Sequence, residues 1–136
     1  ERINEDYLFE VTNSNGMSIH LDNKSKTTGQ VKGISPMELL LMGVAGCSSI
    51  DIVAILNKQK INPKLLKMNV KGHRNENDVP ALFYQIDIDI YLEGDFSPEK
   101  AKRAAELSFD KYCSVSKTLE PTAKITHKVI LNGIEV

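Results

Sequence analysis

The chain has 136 residues, of which 41% are hydrophobic and 26% are charged, a composition typical of a soluble globular protein with one packed core. Its 17 basic and 18 acidic side chains leave a formal net charge of -1, so we expect no nucleic-acid partner. The longest apolar stretch, residues 37–47, contains Glu38 and two glycines, and we therefore expect no membrane-spanning segment and no membrane partner.

The first 33 residues show the pattern of a hairpin followed by a loop. Two runs rich in strand-forming residues, 7–11 and 17–21, flank the turn-forming sequence Thr-Asn-Ser-Asn-Gly. The next stretch, 22–33, is polar and contains three lysines and two glycines, so it is predicted to be a loop. Such a loop either shapes the mouth of a site or is a solvated connection, and the second interpretation is favoured.

A long helix is predicted over residues 35–58. Ser35 can cap the free amides, Pro36 suits the first helical position, and Glu38 follows the serine at the spacing of a capping box. The residues that follow are apolar nearly all round, and a helix without a polar face has to be buried on every side. In so small a chain, we interpret this segment as the core helix of a homodimer.

Two glycines interrupt that helix. Gly43 and Gly46 each lower helix stability by roughly 1 kcal/mol relative to alanine. Close approach by another backbone would offset this cost, which is the arrangement that we expect.

The remainder of the chain alternates strands and helices. Alternating polarity predicts half-buried strands at 66–72 and 83–92, the second with isoleucines on one face and polar residues on the other. One core face and one wet face indicate an antiparallel or mixed sheet. The elements predicted after these strands are a helix that starts at Ser97-Pro98 and ends at or just before Cys113, a short helix at 114–119 and a strand at 124–131.

Cys47 and Cys113 are the only cysteines and the main candidates for chemistry. No secretory signal pattern opens the chain, and two cysteines in such a chain indicate the reducing cytosol, where a transient, chemically active disulfide is more plausible than a structural one. We therefore expect a cytoplasmic protein.

A buried cysteine such as Cys47 is usually an inert small hydrophobe. Cys113 differs because it precedes a predicted helix start, where free amides favour a thiolate.

Asp51 follows Cys47 by one helical turn and shares its face of the helix. It is either a proton acceptor for the thiol or a polar residue hydrogen-bonded inside the dimer core, with the second interpretation slightly favoured.

His20, His73 and His127 fall on or near predicted strands, where polar outward positions explain them. They show no short ligand spacing with the cysteines, so we predict no metal site.

Two motifs, SPMELLLMGVAGC and YCSVSKTL, resemble the two cysteine motifs of the OsmC/Ohr family of osmotically inducible and organic hydroperoxide resistance proteins. The order of the predicted elements is similar to the family's over nearly the whole chain. The resemblance implies an α+β fold and a single domain over residues 1–136. It also implies an intertwined homodimer in which two long central helices are wrapped by antiparallel or mixed sheets.

The same resemblance implies thiol-dependent reduction of organic hydroperoxides in oxidative-stress defence. Cys47 would be the peroxidatic thiol and Cys113 the resolving thiol that closes a disulfide. An external dithiol would then reduce the pair by exchange, with no bound cofactor. Glu38 and Asp51 are possible supporting residues.

The chain departs from the family's pattern in three places. Met37 stands where the peroxidases carry glutamate, Ser114 replaces the proline that usually follows the second cysteine, and no arginine lies in the segment just before the long helix. A lysine of the polar loop is a candidate substitute for that arginine. The alternative function is therefore a non-catalytic or redox-responsive protein that binds an apolar small molecule in the dimer groove.

Overall fold

The computed structural model describes all residues, Glu1–Val136, which form two compact units, Glu1–Leu40 and Leu41–Val136. The single domain expected over residues 1–136 stays a prediction. The elements in chain order are β1 (Phe9–Thr12), β2 (Ser18–Leu21), α1 (Pro36–Lys58), β3 (Leu65–Arg74), β4 (Phe83–Glu93), α2 (Pro98–Leu107), a π-helical turn (Ser108–Tyr112), α3 (Ser114–Leu119), β5 (Lys124–Leu131) and β6 (Ile134–Glu135). Helices combined with a mixed sheet confirm the predicted α+β class.

The first unit contains the predicted hairpin. Strands β1 and β2 pair in antiparallel fashion, with Phe9 opposite Leu21. In the connection, the side-chain oxygen of Asn13 accepts the backbone amide of Met17 at 3.0 Å. Gly16 adopts a φ of +81°, a left-handed conformation that glycine reaches without a steric cost. The turn-forming residues thus act as the sequence predicted.

The polar segment after the hairpin is a loop, as predicted, and one buried carboxylate organises it. Asp22 is 7% exposed, and its side chain accepts the backbone amides of Asn23 and Lys32, each at 2.8 Å. Because these bonds join the two ends of the segment, Asp22 holds the loop closed.

Helix α1 begins and ends where the sequence predicted, but its predicted capping box does not form. The amide of Leu39 donates to the carbonyl of Ser35 at 3.0 Å, whereas neither the Ser35 hydroxyl nor the Glu38 carboxylate makes a hydrogen bond. The fixed φ of Pro36 and the apolar run that follows are therefore enough to start the helix.

The second unit is built on a four-stranded mixed sheet in the order β3-β4-β5-β6. Strand β4 pairs antiparallel with β3 and parallel with β5, and β5 pairs antiparallel with β6. A parallel pair requires a long crossover, and α2, the π-helical turn and α3 provide it. The inward side chains of β4 are almost fully buried, as the alternating pattern predicted: Ile86, Ile88, Ile90 and Leu92.

Within the second unit, α1 is buried along only one stripe. Residues spaced four apart face the core: Val44, Ser48, Ile52 and Leu56. A second such stripe is exposed: Met42, Gly46, Ile50 and Ala54. Met42 is 52% exposed and Ile50 is 71% exposed in the single chain, so burial of this stripe against a second subunit stays a prediction.

The two helix glycines have different surroundings. A Cβ added to Gly43 would lie 3.5 Å from a methyl group of Val115, an ordinary side-chain contact. A Cβ added to Gly46 would meet no atom within 4 Å. The close backbone approach expected at these glycines is therefore not made within this chain.

Helix α1 is long and apolar enough to cross a membrane by length and composition alone. The expectation that no segment of the chain meets this criterion is wrong. Glu38 lies at the very start of the helix, and the two glycines are not polar enough to lower the hydropathy of the remainder. The core helix of a soluble protein meets the same criterion.

Candidate functional site

Three groups that could carry chemistry meet in the second unit. Cys47 and Asp51 lie one turn apart on α1, and Cys113 lies between the π-helical turn and α3. The two sulfur atoms and a carboxylate oxygen of Asp51 all lie within 4.8 Å of one another. The fold therefore brings together the two cysteines that are far apart in the sequence, with Asp51 beside them.

The π-helical turn fixes the position of Cys113. Helix α2 starts at the N-cap Ser97, whose side chain accepts the amide of Lys100 at 3.4 Å, and it buries its alanine face. After Ser108 the helix widens, and the amide of Cys113 donates to the carbonyl of Ser108 at 2.7 Å, a bond that spans five residues. Such a turn takes one residue more than an α-helical turn, which changes the direction in which the following residue points.

Cys113 is fully buried and caps the short helix α3. Its sulfur accepts the amide of Ser116 at 3.5 Å, as expected for a residue at a helix start. Burial nevertheless raises the pKa of the Cys113 thiol, and the opposing hydrogen bonds from Ser116 do not offset it; the neighbouring Cys47 raises it further. The predicted helix-start geometry is confirmed, but the predicted preference for a thiolate is wrong because desolvation is the larger effect.

Cys47 and Asp51 are both partly exposed, whereas Cys113 is buried. The buried hydroxyl of Ser108 donates to Oδ2 of Asp51 at 3.2 Å. Asp51 is thus hydrogen-bonded within the fold and lies beside both thiols, and its role as a proton acceptor stays a prediction. The Ser108 bond uses one of the roughly four acceptor positions of the carboxylate.

The structure places Glu38 on α1 and gives each arginine side chain a hydrogen bond or an ion pair. Glu38 is exposed on the first turn of α1, in the first unit, and its supporting role stays a prediction. The arginine side chains have partners elsewhere: Arg2 donates to the carbonyls of Glu5 and Asp6, Arg74 donates to the carbonyl of Ala81, and Arg103 lies 3.7 Å from the carboxylate of Glu106.

The outward face of the sheet carries a second polar cluster, which the sequence analysis missed. Oδ1 of Asp87 accepts from Thr126 at 2.6 Å and from Gln85 at 2.7 Å, and its Oδ2 lies 2.7 Å from Nε2 of His73. Bonds from Thr126, Gln85 and His73, in that order, lower the pKa of Asp87 to about 2. These residues come from three strands, so the cluster could be found only once the strand register was known.

The other two histidines contact an acidic side chain and an aromatic ring, respectively. His20 lies opposite Glu10 on the hairpin, with 3.5 Å between Nε2 and Oε2. The His127 ring stacks on Phe109 with 4.8 Å between ring centroids, and burial lowers the pKa of this histidine. The outward position predicted for His127 is therefore wrong.

Comparisons with known proteins identify relatives of this fold. A family model described as OsmC-like protein matches residues 28–128. Protein YhfA of Escherichia coli K12 is 36% identical over 124 residues, which cover 90% of this chain and 89% of YhfA. An OsmC-like protein from Mycoplasma pneumoniae is 24% identical with a TM-score of 0.73, over 95% of this chain and 99% of that one. The organic hydroperoxide resistance protein OhrB of Bacillus subtilis is 17% identical with a TM-score of 0.63, over 88% of each chain.

Proposed function

Because this chain belongs to the OsmC-like family, we propose that it is a cysteine-based reductase of organic hydroperoxides that acts in oxidative-stress defence. The observation that carries the proposal is the separation of the Cys47 and Cys113 sulfurs, which is no more than 4.8 Å. Two thiols so close need only a small shift to reach the S–S bond length of about 2.05 Å. Likeness to a protein named for organic hydroperoxide resistance supports the choice of substrate.

In the first step, Cys47 is the peroxidatic residue, because it is the accessible one of the two thiols. Its thiolate attacks the terminal oxygen of the hydroperoxide and the O–O bond breaks. The sulfur is oxidised to a sulfenic acid, and the leaving alkoxide takes up a proton and departs as an alcohol. The apolar character of α1 around Cys47 favours an organic peroxide over hydrogen peroxide.

In the second step, the sulfur of Cys113 attacks the sulfenic sulfur of Cys47. An S–S bond forms, the S–O bond breaks, and the hydroxide leaves as water once it has gained a proton. Burial raises the pKa of the Cys113 thiol, so this attack requires a proton acceptor. The Asp51 carboxylate lies within 4.8 Å of both sulfurs and is the group we assign to that role.

An external dithiol completes the cycle. It reduces the Cys47–Cys113 disulfide by two exchange steps, regenerates both thiols and is itself oxidised to a disulfide. The chemistry needs no bound cofactor. A supply of reducing dithiol is a property of the cytosol, where we place this protein.

We also assign a second copy of this chain as the partner of α1. The exposed stripe of that helix is apolar, and exposed apolar surface of this kind marks an interface. The free space around Gly46 lets another backbone approach closely.

Sedimentation should give a dimer of the 15.2 kDa chain. Ile50→Glu should shift it towards monomer, whereas Lys102→Glu on the exposed face of α2 should not; a monomeric wild type would contradict the assignment.

The decisive experiment follows the thiols directly. Reduced protein is treated with one equivalent of cumene hydroperoxide and analysed by intact-mass and peptide mass spectrometry. We expect loss of two hydrogens and a Cys47–Cys113 linkage. Cys113→Ser should stop at a Cys47 sulfenic acid that dimedone traps, while Cys47→Ser should consume no peroxide.

The matched control is Ser114→Ala, which changes the exposed neighbour of Cys113 and should leave the disulfide unaffected. An unmodified Cys47 after peroxide treatment would contradict the proposal.

A redox-responsive or ligand-binding role is the second candidate. Two observations favour it: the arginine side chains are held by other partners, and Met37 stands where the family's peroxidases carry glutamate. Without a guanidinium beside it, a thiol is less reactive. Native mass spectrometry that retains an apolar ligand, together with slow alkylation of Cys47, would favour this role.

A further inference from the structure

We propose that the reduced form of Cys47, Asp51 and Cys113 is a binding site for a thiophilic divalent cation such as Zn²⁺ or Cd²⁺. Two sulfurs and one carboxylate oxygen, all within 4.8 Å of one another, form a ligand set that suits a borderline or soft metal. The sequence prediction of no metal site considered the histidines and did not combine Asp51 with the two cysteines. This inference does not depend on the peroxide reaction.

The separations are close to those that a tetrahedral site requires. With Zn–S bonds of about 2.3 Å, two sulfurs bound to one zinc lie about 3.8 Å apart. The two sulfurs therefore have to approach one another by no more than about 1 Å, measured from the upper limit of the donor separations. The partial exposure of Cys47 and Asp51 gives a cation a route to the site and leaves room for water as the fourth ligand.

The surrounding hydrogen bonds hold the three ligands in place. The Ser108 hydroxyl donates to Oδ2 of Asp51 and fixes that carboxylate, leaving other lone pairs for a metal. The amide of Ser116 points at the sulfur of Cys113, where it would stabilise a metal-bound thiolate. As each metal–sulfur bond forms, the thiol proton passes to solvent, so the cation takes the place of the proton on both sulfurs.

Occupation of this site has a chemical consequence. The metal holds both sulfurs at once, so neither is free to react with an electrophile. The protein would then bind thiophilic metals reversibly in its reduced state and lose this affinity when the thiols are blocked.

The test uses reduced wild-type protein without oxygen or peroxide, titrated with Zn²⁺ against a chromophoric chelator. We expect one Zn²⁺ per chain and slower alkylation of Cys47 by iodoacetamide when zinc is present. Cys47→Ser, Cys113→Ser and Asp51→Asn should each weaken binding by roughly tenfold or more. Asparagine is nearly isosteric and can still accept from Ser108, so Asp51→Asn tests the charge of the ligand with little change in shape.

Asp89→Asn is the matched control, because it makes the same chemical change at a carboxylate that lies 3.6 Å from Lys128 on the sheet. It should leave zinc affinity unchanged. Failure to bind zinc, or equal binding by wild type and Cys47→Ser, would overturn the inference. Because no peroxide is present, either result leaves the proposed reductase activity to be judged separately.

Discussion

Asp51 and Asp87 are both partly exposed carboxylates in the second unit, yet their surroundings give them opposite characters. Asp87 lies 2.7 Å or less from three side chains on its own and adjacent strands, and its pKa falls to about 2. Asp51 accepts one hydrogen bond from the fold and faces two thiols. A carboxylate whose acceptor positions are filled by the fold stabilises the sheet, whereas one with free positions beside nucleophiles is available for chemistry.

Of the variants at these two carboxylates, a substitution of Asp51 should have the largest effect, and that effect is on the rate of disulfide closure. Asp51→Asn should slow closure of the Cys47–Cys113 disulfide by roughly tenfold to a hundredfold, because the acceptor for the Cys113 proton is lost. Stopped-flow measurement of the closure rate after a peroxide pulse checks this, with thiol counts at each time. Asp87→Asn should close the disulfide at the wild-type rate, and equal slowing in both variants would remove the distinction.

Asp87→Asn should instead lower the stability of the fold. The substitution removes the charge that three donors stabilise, so the urea midpoint at neutral pH should fall below that of the wild type. Asp51→Asn should shift the midpoint less, since only Ser108 donates to it. A larger midpoint shift for Asp51→Asn than for Asp87→Asn would break the comparison.

Acidification should reduce the effect of Asp87→Asn. The folded-state pKa of Asp87 is depressed from 3.8 to about 2, so its contribution is complete above about pH 5 and is lost progressively as the pH falls through 2. Urea midpoints of wild type and variant, measured between about pH 7 and pH 3, should therefore draw closer on the acid side. A difference that stays constant over this range would argue that the bonds to Asp87 are not charge-dependent.

The smallest effect is expected at Thr126. Thr126→Val removes the shortest hydrogen bond to Asp87 but leaves Gln85 and His73 in place. The pKa of Asp87, followed by NMR titration, should move part of the way back towards its ordinary value, with activity unchanged. An unchanged pKa would mean that the other two donors alone depress it.

Local patterns were enough to predict most of the elements. The isoleucine alternation of β4 and the prolines at the starts of α1 and α2 reflect backbone and solvation preferences that act over a few residues. The predicted capping box does not form, and the carbonyl of Ser35 alone accepts the first helical bond. The π-helical turn has no sequence pattern of its own, so it could not be predicted.

Only part of the site could be predicted from local sequence patterns, and the rest came from the family resemblance. The spacing of Cys47 and Asp51 places both on one face of α1, but nothing local connects either of them with Cys113. That pairing came from the family resemblance, and the geometry is in keeping with it. The Asp87 cluster depends on the register of three strands, and the raised pKa of Cys113 depends on burial, so neither is a property of a short segment.

In the proposed reductase cycle, the complete burial of Cys113 would also decide the order of events when the Cys47–Cys113 disulfide is reduced. A reductant can reach only the Cys47 side of the bridge, so the transient adduct should form there and Cys113 should depart. Sulfurs that resist ionisation depart slowly. In that proposed cycle, regeneration rather than the encounter with peroxide should limit turnover, and we expect the donor to be a dithiol slim enough to reach one flank of a helix.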